Sequence, residues 1–240
     1  MEIVKATLWI YRIALTRSVE LFRENWGVVF APLAYGIILS VVGVVLVRFG
    51  IIGGLLLLLT SNACLSSGLN LIENIVKGRK AVLNDFFRGF TVYLWDIVMI
   101  SFILWIPMRV ASEVLYSIPE GPLILLFIQI TLYIILNAVP ELIYQSQASG
   151  LELLAASYTF IIENWPEWFT PNLVITVVGY TLMRVLGPMV SGLPIAIQIF
   201  LMTSVLGLFL TYLMIFRGIL FSELDGSNRR SRVYRYKLRD

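Results

Sequence analysis

The chain has 240 residues, of which 59% are hydrophobic and 14% charged, with a formal net charge of +3; soluble domains carry roughly 25% charged residues. With no histidine and one cysteine, Cys64, the composition excludes an intrachain disulfide and removes the usual zinc sites and the Ser–His and Cys–His catalytic arrangements. The apolar residues fall into blocks of roughly 20, the length that crosses a hydrocarbon core, and in lipid each block must be a helix because its backbone groups have to be satisfied internally.

Residues 1–25 carry Glu2, Lys5, Arg12, Arg17, Glu20, Arg23 and Glu24. They contain no compact apolar core ending in small residues, so this segment is expected not to be a cleaved signal. Val4, Leu8, Tyr11, Leu15, Val19 and Phe22 recur at three- and four-residue steps, opposite Lys5, Arg12, Thr16, Glu20 and Arg23. That pattern predicts an amphipathic helix lying in the cytoplasmic headgroup layer. The alternative is a helix packed on the inner face of the bundle.

Six spans follow, at about Trp26–Val47, Gly50–Ile72, Thr91–Val110, Gly121–Val139, Pro171–Val190 and Ile195–Leu220. Arg48–Phe49 and Ser191–Pro194 are too short for anything but hairpin turns, and Ala111–Glu120 joins the third and fourth spans. The longer connections, Glu73–Phe90 and Pro140–Thr170, lie on the opposite side. The expected fold is therefore an all-α polytopic membrane bundle in a single domain (1–225), followed by a basic cytoplasmic tail (226–240).

Charge sets the orientation. With the N-terminus inside, Lys5, Arg12, Arg17, Arg23, Lys77, Arg79, Lys80, Arg88, Arg217, Arg229, Arg230, Arg232, Arg235, Lys237 and Arg239 are cytoplasmic. Only Arg48, Arg109 and Arg184 are outside. Lys and Arg favour the cytoplasmic side, which places both termini inside a prokaryotic plasma membrane. The three outer arginines read as headgroup contacts or an anion-attracting ring, with Arg109 also able to pair with Glu113.

An internal repeat is visible. Ser18–Pro32 (SVELFRENWGVVFAP) and Ser157–Pro171 (SYTFIIENWPEWFTP) coincide at Ser18/Ser157, Glu24/Glu163, Asn25/Asn164, Trp26/Trp165, Phe30/Phe169 and Pro32/Pro171. The offset of 139 is constant, as expected of a parallel duplication. The pattern predicts a bend and interface anchor in each copy: Asn caps the following helix, Trp sits at the headgroups, and Pro occupies the first helical turn.

The stretches Ser146–Trp165 (SQASGLELLAASYTFIIENW) and Gly78–Phe90 (GRKAVLNDFFRGF) resemble a loose superfamily of prokaryotic six-span proteins. It includes the membrane domain of glycerophosphoryl diester phosphodiesterases. The resemblance implies architecture only, because the chain has no phosphodiesterase domain.

Within the spans, Asn62, Ser66 and Asn70 are spaced by four, and Glu73 and Lys77 continue the stripe. Such a stripe faces other helices or a water-filled path. Gln129, alone in the fourth span, is expected to bond to another helix or to touch a substrate. Gly50 and Gly54, and likewise Ser204, Gly207 and Thr211, are small residues that favour close helix approach. Cys64 reads as a packing residue.

The tail residues Arg229, Arg230, Arg232, Arg235, Lys237 and Arg239 are expected to form a mobile arm held by anionic phospholipid. Glu141, Glu152, Glu163 and Glu167 lie in a connection without Lys or Arg, which either docks on the basic Lys77–Arg88 connection or receives a basic partner.

No catalytic constellation, cofactor motif or metal set is present, and no nucleic-acid partner is expected. The expected function is a non-enzymatic transport component or partner subunit of a membrane complex. The alternative is a permease subunit coupled to a cytoplasmic ATPase through Glu73–Phe90 or Pro140–Thr170. A lipid enzyme using Asp96, Glu73 or Glu141 has no motif behind it.

Overall fold

A computed structural model describes residues 2–238, and among these the chain is all-α, without strands. Ten α-helices are present: α1 (Glu2–Glu24), α2 (Ala31–Leu46), α3 (Gly50–Val76), α4 (Leu83–Val92), α5 (Leu94–Leu115), α6 (Gly121–Ile135), α7 (Val139–Gln145), α8 (Gly150–Val190), α9 (Ile195–Leu224) and α10 (Arg229–Lys237). Five stretches are long and apolar enough to cross a membrane: Trp26–Val76, Leu94–Leu115, Gly121–Gln145, Gly150–Val190 and Ile195–Leu224.

The first stretch is itself a hairpin. Gly50, at φ +55°, turns the chain in a conformation that disfavours side chains. α3 then runs back along α2, so that Tyr35 of α2 donates from its hydroxyl to Ser67 Oγ of α3 at 2.9 Å. Gly50 serves the turn, and both Gly50 and Gly54 have open space around them, so the pair does not mark a close helix approach. The α8–α9 turn is closed by Gln198, whose Nε2 donates to the carbonyls of Ser191 and Leu193 at 2.8 and 2.9 Å.

Burial concentrates at one end of the bundle, which holds Ile10, Ala14, Leu142, Tyr144, Leu153, Trp168 and Ile215–Leu224 apart from Arg217 and the serine and glutamate at 222 and 223. The far halves of the long helices expose Val41, Val44, Ile51, Leu55, Ile106, Val178, Ile197 and Phe200. Apolar surface of this kind is stable against hydrocarbon and would not be against water.

Helix α1 buries Ala6, Ile10, Ala14 and Ser18 against α9 and α10, leaving Val4, Leu8, Leu15 and Val19 exposed. The fully buried stripe is mostly small, while Tyr11 and Phe22 of the expected apolar face pack partly buried against the core and Val4, Leu8, Leu15 and Val19 stay outside.

Two expectations are corrected here. Pro171 does not open a helix: α8 runs unbroken from Gly150 to Val190 through Pro166, Pro171 and Pro188. A proline within a helix frees the carbonyl four residues back. For Pro171 that is the Glu167 carbonyl, and Tyr11 of α1 donates its hydroxyl to it at 3.0 Å. The tail is likewise no mobile arm. Arg229–Lys237 is helical and packs against α1, starting from Asn228, whose Oδ1 accepts from Ser231 N at 2.8 Å. Arg239 lies outside the described residues.

Gly207 marks the tightest approach of α9 to the 3-10 turn Trp26–Phe30: a Cβ there would stand 2.1 Å from the Val29 carbonyl oxygen. Because that neighbour is backbone, G207A is expected to force the elements apart and cost about 1–3 kcal/mol. The apparent Tm in detergent should fall by several degrees, whereas G36A, facing open space, should leave it unchanged or higher.

Candidate functional site

Helix α3 carries its polar stripe to α4. Ser66 Oγ donates to the Gly89 carbonyl at 2.6 Å and accepts from Tyr93 N at 2.8 Å. Ser67 Oγ donates to Phe86 O at 2.7 Å, and Asn70 Nδ2 to Asp85 O at 3.0 Å. These bonds hold α4 across α3, and the lack of a side chain on Gly89 permits the contact: a Cβ would lie 2.9 Å from Ser67 Cα. Asn62 and Cys64 are buried beside them. The stripe is thereby consumed in helix packing, except at its C-terminal end.

There Glu73 accepts from Lys77 Nζ and from the Tyr93 hydroxyl, each at 2.5 Å. Both bound groups line a cleft of about 430 Å³ together with Glu73, Tyr144, Gln145 and Gln147. The Tyr144 hydroxyl is buried and has no hydrogen-bond partner.

Behind Tyr144 lies a buried ion pair. The short helix α7 presents Glu141, which has no exposed surface, to Arg217 of α9. Arg217 donates in bidentate fashion, Nε to Oε1 at 2.7 Å and Nη2 to Oε2 at 2.9 Å. Nη2 also donates to the Asn137 carbonyl at 2.6 Å. The guanidinium carbon sits 5.0 Å from the Trp168 ring centroid, and Trp168 Nε1 donates to Asn137 Oδ1 at 2.9 Å. Gln145 Nε2 ties α7 to α9 a second time, through Gly218 O at 2.9 Å.

A second polar cluster joins α8 to the tail. Arg229 donates to both oxygens of Glu167, at 2.8 and 3.3 Å. Arg232 is 3% exposed and donates to Asn164 Oδ1, Ser227 Oγ, Ser227 O and Leu224 O. Arg235 pairs with Glu223 and Lys237 with Glu2. Of the tail residues expected to meet lipid, Arg229, Arg232, Arg235 and Lys237 thus have protein partners, and Arg230 is exposed. Pairing with Glu167 holds the Arg229 guanidinium above its ordinary pKa, and burial raises Tyr11 to about 12.

The two repeat segments have matching environments. Ser18 and Ser157 are buried, Glu24 and Glu163 exposed, Asn25 and Asn164 buried, Trp26 and Trp165 64% and 60% exposed, and Pro32 and Pro171 half-buried. Each asparagine donates from Nδ2 to the carbonyl four residues back, Leu21 or Phe160, at 2.9 and 3.1 Å. Each Oδ1 accepts from the segment that follows the next long helical hairpin: from Ala81 N at 2.8 Å for Asn25, from Arg232 for Asn164. Neither asparagine side chain caps the following helix, which corrects that expectation. They are ties between distant segments. The chain breaks after Asn25 but not after Asn164, where Gly27 is replaced by Pro166, whose fixed φ suits a helix.

Gln129 lies on the outer surface of α6 and is exposed, contrary to the expected bond to another helix of the chain. Arg109 pairs with Glu113 at 2.6 Å on the surface, an interaction of little weight. Among the described residues, no group of three or more His, Cys, Asp and Glu is arranged to hold a metal. No protein-family model, curated protein or solved structure matches the chain.

The Glu141–Arg217 pair escaped the sequence reading because Arg217 looks like a charge flanking the last span. The signal was present: Gly218–Phe221 continues the apolar run beyond it. E141L or R217M alone should lower stability by about 3–5 kcal/mol, since each strands a buried charge. The double change E141L/R217M should cost less than the sum. Thermal denaturation in detergent across this four-protein cycle measures it; additive losses would show that the pair is not coupled.

Proposed function

We propose that the chain is a non-enzymatic integral membrane protein that serves as the partner subunit of a membrane complex. The observation that carries this reading is Gln129, an exposed amide in the apolar helix α6. An amide facing hydrocarbon is disfavoured, and a second protein supplying its hydrogen bonds removes the penalty. The polar residues of the spans support the same reading against a solute path, because Ser66, Ser67 and Asn70 are bound to α4.

The chain is further read as crossing a prokaryotic plasma membrane six times, with both termini in the cytoplasm and anionic phospholipid at the inner face. The α2–α3 hairpin and the 15 basic residues assigned inside support this. The like environments of the two Glu-Asn-Trp segments support an internal duplication, and the six-span superfamily resembled by Ser146–Trp165 remains the proposed kinship.

The permease reading has one favourable observation. Helix α4 exposes Leu83 and Phe87 on the surface where a coupling helix would meet an ATPase. Pro140–Thr170 lacks such a surface over α7, which is mostly buried.

Q129L should reduce recovery of the partner, or of a second copy, by about threefold to twentyfold after mild extraction, in line with interhelical bonds of about 0.6–1.7 kcal/mol. Equal recovery with wild type counts against the subunit reading; a co-purified ATPase lost on L83E/F87E favours the permease. Orientation is tested separately in a C64S background. Gly192→Cys should react with an impermeant maleimide from outside, and Arg79→Cys only after permeabilisation.

A further inference from the structure

The first copy of the repeat borders a cleft of about 490 Å³, between the turn Trp26–Phe30, the start of α2 and the segment 80–86. That volume is within the usual range for small-ligand clefts, about 300–1,000 Å³. Two contacts hold its sides together. Asn25 Oδ1 accepts from Ala81 N at 2.8 Å, and Phe86 stacks on Tyr35 of α2 with ring centroids 5.3 Å apart.

Small residues leave the space open. Gly27, Ala31 and Ala34 line it, and a Cβ at Gly27 would meet nothing within 4 Å. The large apolar residues Trp26, Phe30 and Leu83 also line it, yet they stay exposed and do not close it. An apolar hollow of this kind is stable when apolar matter fills it, not water.

The charged members are Glu24 and Lys80, both exposed. Each immediately precedes a residue of the Asn25–Ala81 bond, which sets both at the same end of the cleft. Among the described residues neither has an ion-pair partner, whereas Glu2, Glu73, Glu113, Glu141, Glu167 and Glu223 each do. The second copy differs: the space beside Glu163 and Asn164 has no apolar side chain among its described lining residues. The apolar cleft is therefore particular to the first copy and not a by-product of the Glu-Asn-Trp pattern.

We propose that this cleft binds one phospholipid with a zwitterionic amine headgroup, of the phosphatidylethanolamine kind. An acyl chain lies along Gly27, Ala31 and Ala34, Lys80 meets the phosphate, and Glu24 meets the ammonium. The cleft stands where α1 gives way to the apolar stretch Trp26–Val76, the level at which headgroups and acyl chains meet. Opposite charges at one end of an apolar space match a head that carries both signs; a purely anionic head would be repelled by Glu24.

The full-length chain, delipidated in detergent, is titrated with phosphatidylethanolamine, phosphatidylglycerol and diacylglycerol of identical chains, and adducts are counted by native mass spectrometry. One phosphatidylethanolamine should bind about tenfold or more tightly than either other lipid, the scale of one charge-assisted hydrogen bond. E24K, at an exposed position, should shift the preference to phosphatidylglycerol. A34F should abolish the adduct by filling the space, with thermal unfolding recorded to establish that it folds. The site needs no partner subunit, so Q129L should bind lipid like wild type, which separates this proposal from the subunit reading. Wild type without a preference for phosphatidylethanolamine, or either E24K or folded A34F keeping that preference, overturns the proposal.

Discussion

Glu141 and Arg217 meet at the end of the bundle where nearly all burial is found, and their pairing fixes how α7 and α9 lie against each other. Removing a carboxylate and a guanidinium from water costs several kcal/mol per ion. Attraction alone does not offset this; complete hydrogen bonding is also required. The structure supplies it through two parallel bonds within the pair, a third to Asn137 O, and a Trp168 ring over the cation. Trp168 is in turn oriented by Asn137 Oδ1. Helices α7, α8 and α9 and the turn between α6 and α7 are therefore tied through one charge pair.

The same rule governs the proline-bearing helix. Pro171 leaves the Glu167 carbonyl without an amide, in a region where water is scarce. Tyr11 supplies the missing donor, while the Glu167 carboxylate engages Arg229. One residue thus draws α1 and α10 onto the proline-bearing helix α8. α1 is held at the bundle by this bond, by the close fit of Ala6, Ile10 and Ala14, and by Trp9, Tyr11, Leu21 and Phe22 packed against the core.

Much of the architecture could be read from hydropathy, because a long apolar run in lipid has one backbone solution. Arg48–Phe49 and Ser191–Pro194 allowed only tight turns, and both hairpins are present. What the runs could not convey is where charges inside or beside them end up. Arg217 sits inside the apolar run Ile195–Leu224, yet by residue type it reads as a charge flanking the span. Arg229–Lys237 is dense in charge, a pattern normally left to solvent, and its folding depends on Glu2, Glu167 and Glu223, scattered across 221 positions of sequence. Pro171 has the residue type of a first helical turn. The helix continues through it nonetheless, and Tyr11, 160 residues earlier, meets the carbonyl that the proline leaves without an amide.

The repeat segments show how one local pattern yields two different backbones. Ser, Asn and Trp keep their environments in both copies, so the pattern specifies which side chains are buried and which are exposed. It does not specify a break. In the first copy Asn25 accepts from the Ala81 amide, and the chain tightens into a 3-10 turn at Gly27. In the second, Pro166 holds helical φ, Tyr11 relieves Pro171, and Arg232 reaches Asn164 from the tail. The tail thereby occupies the place that the Ala81 segment holds in the first copy. It brings arginines where the first copy has Ala81–Leu83 lining an apolar cleft. From equivalent asparagines, one copy presents an apolar surface and the other a cationic one.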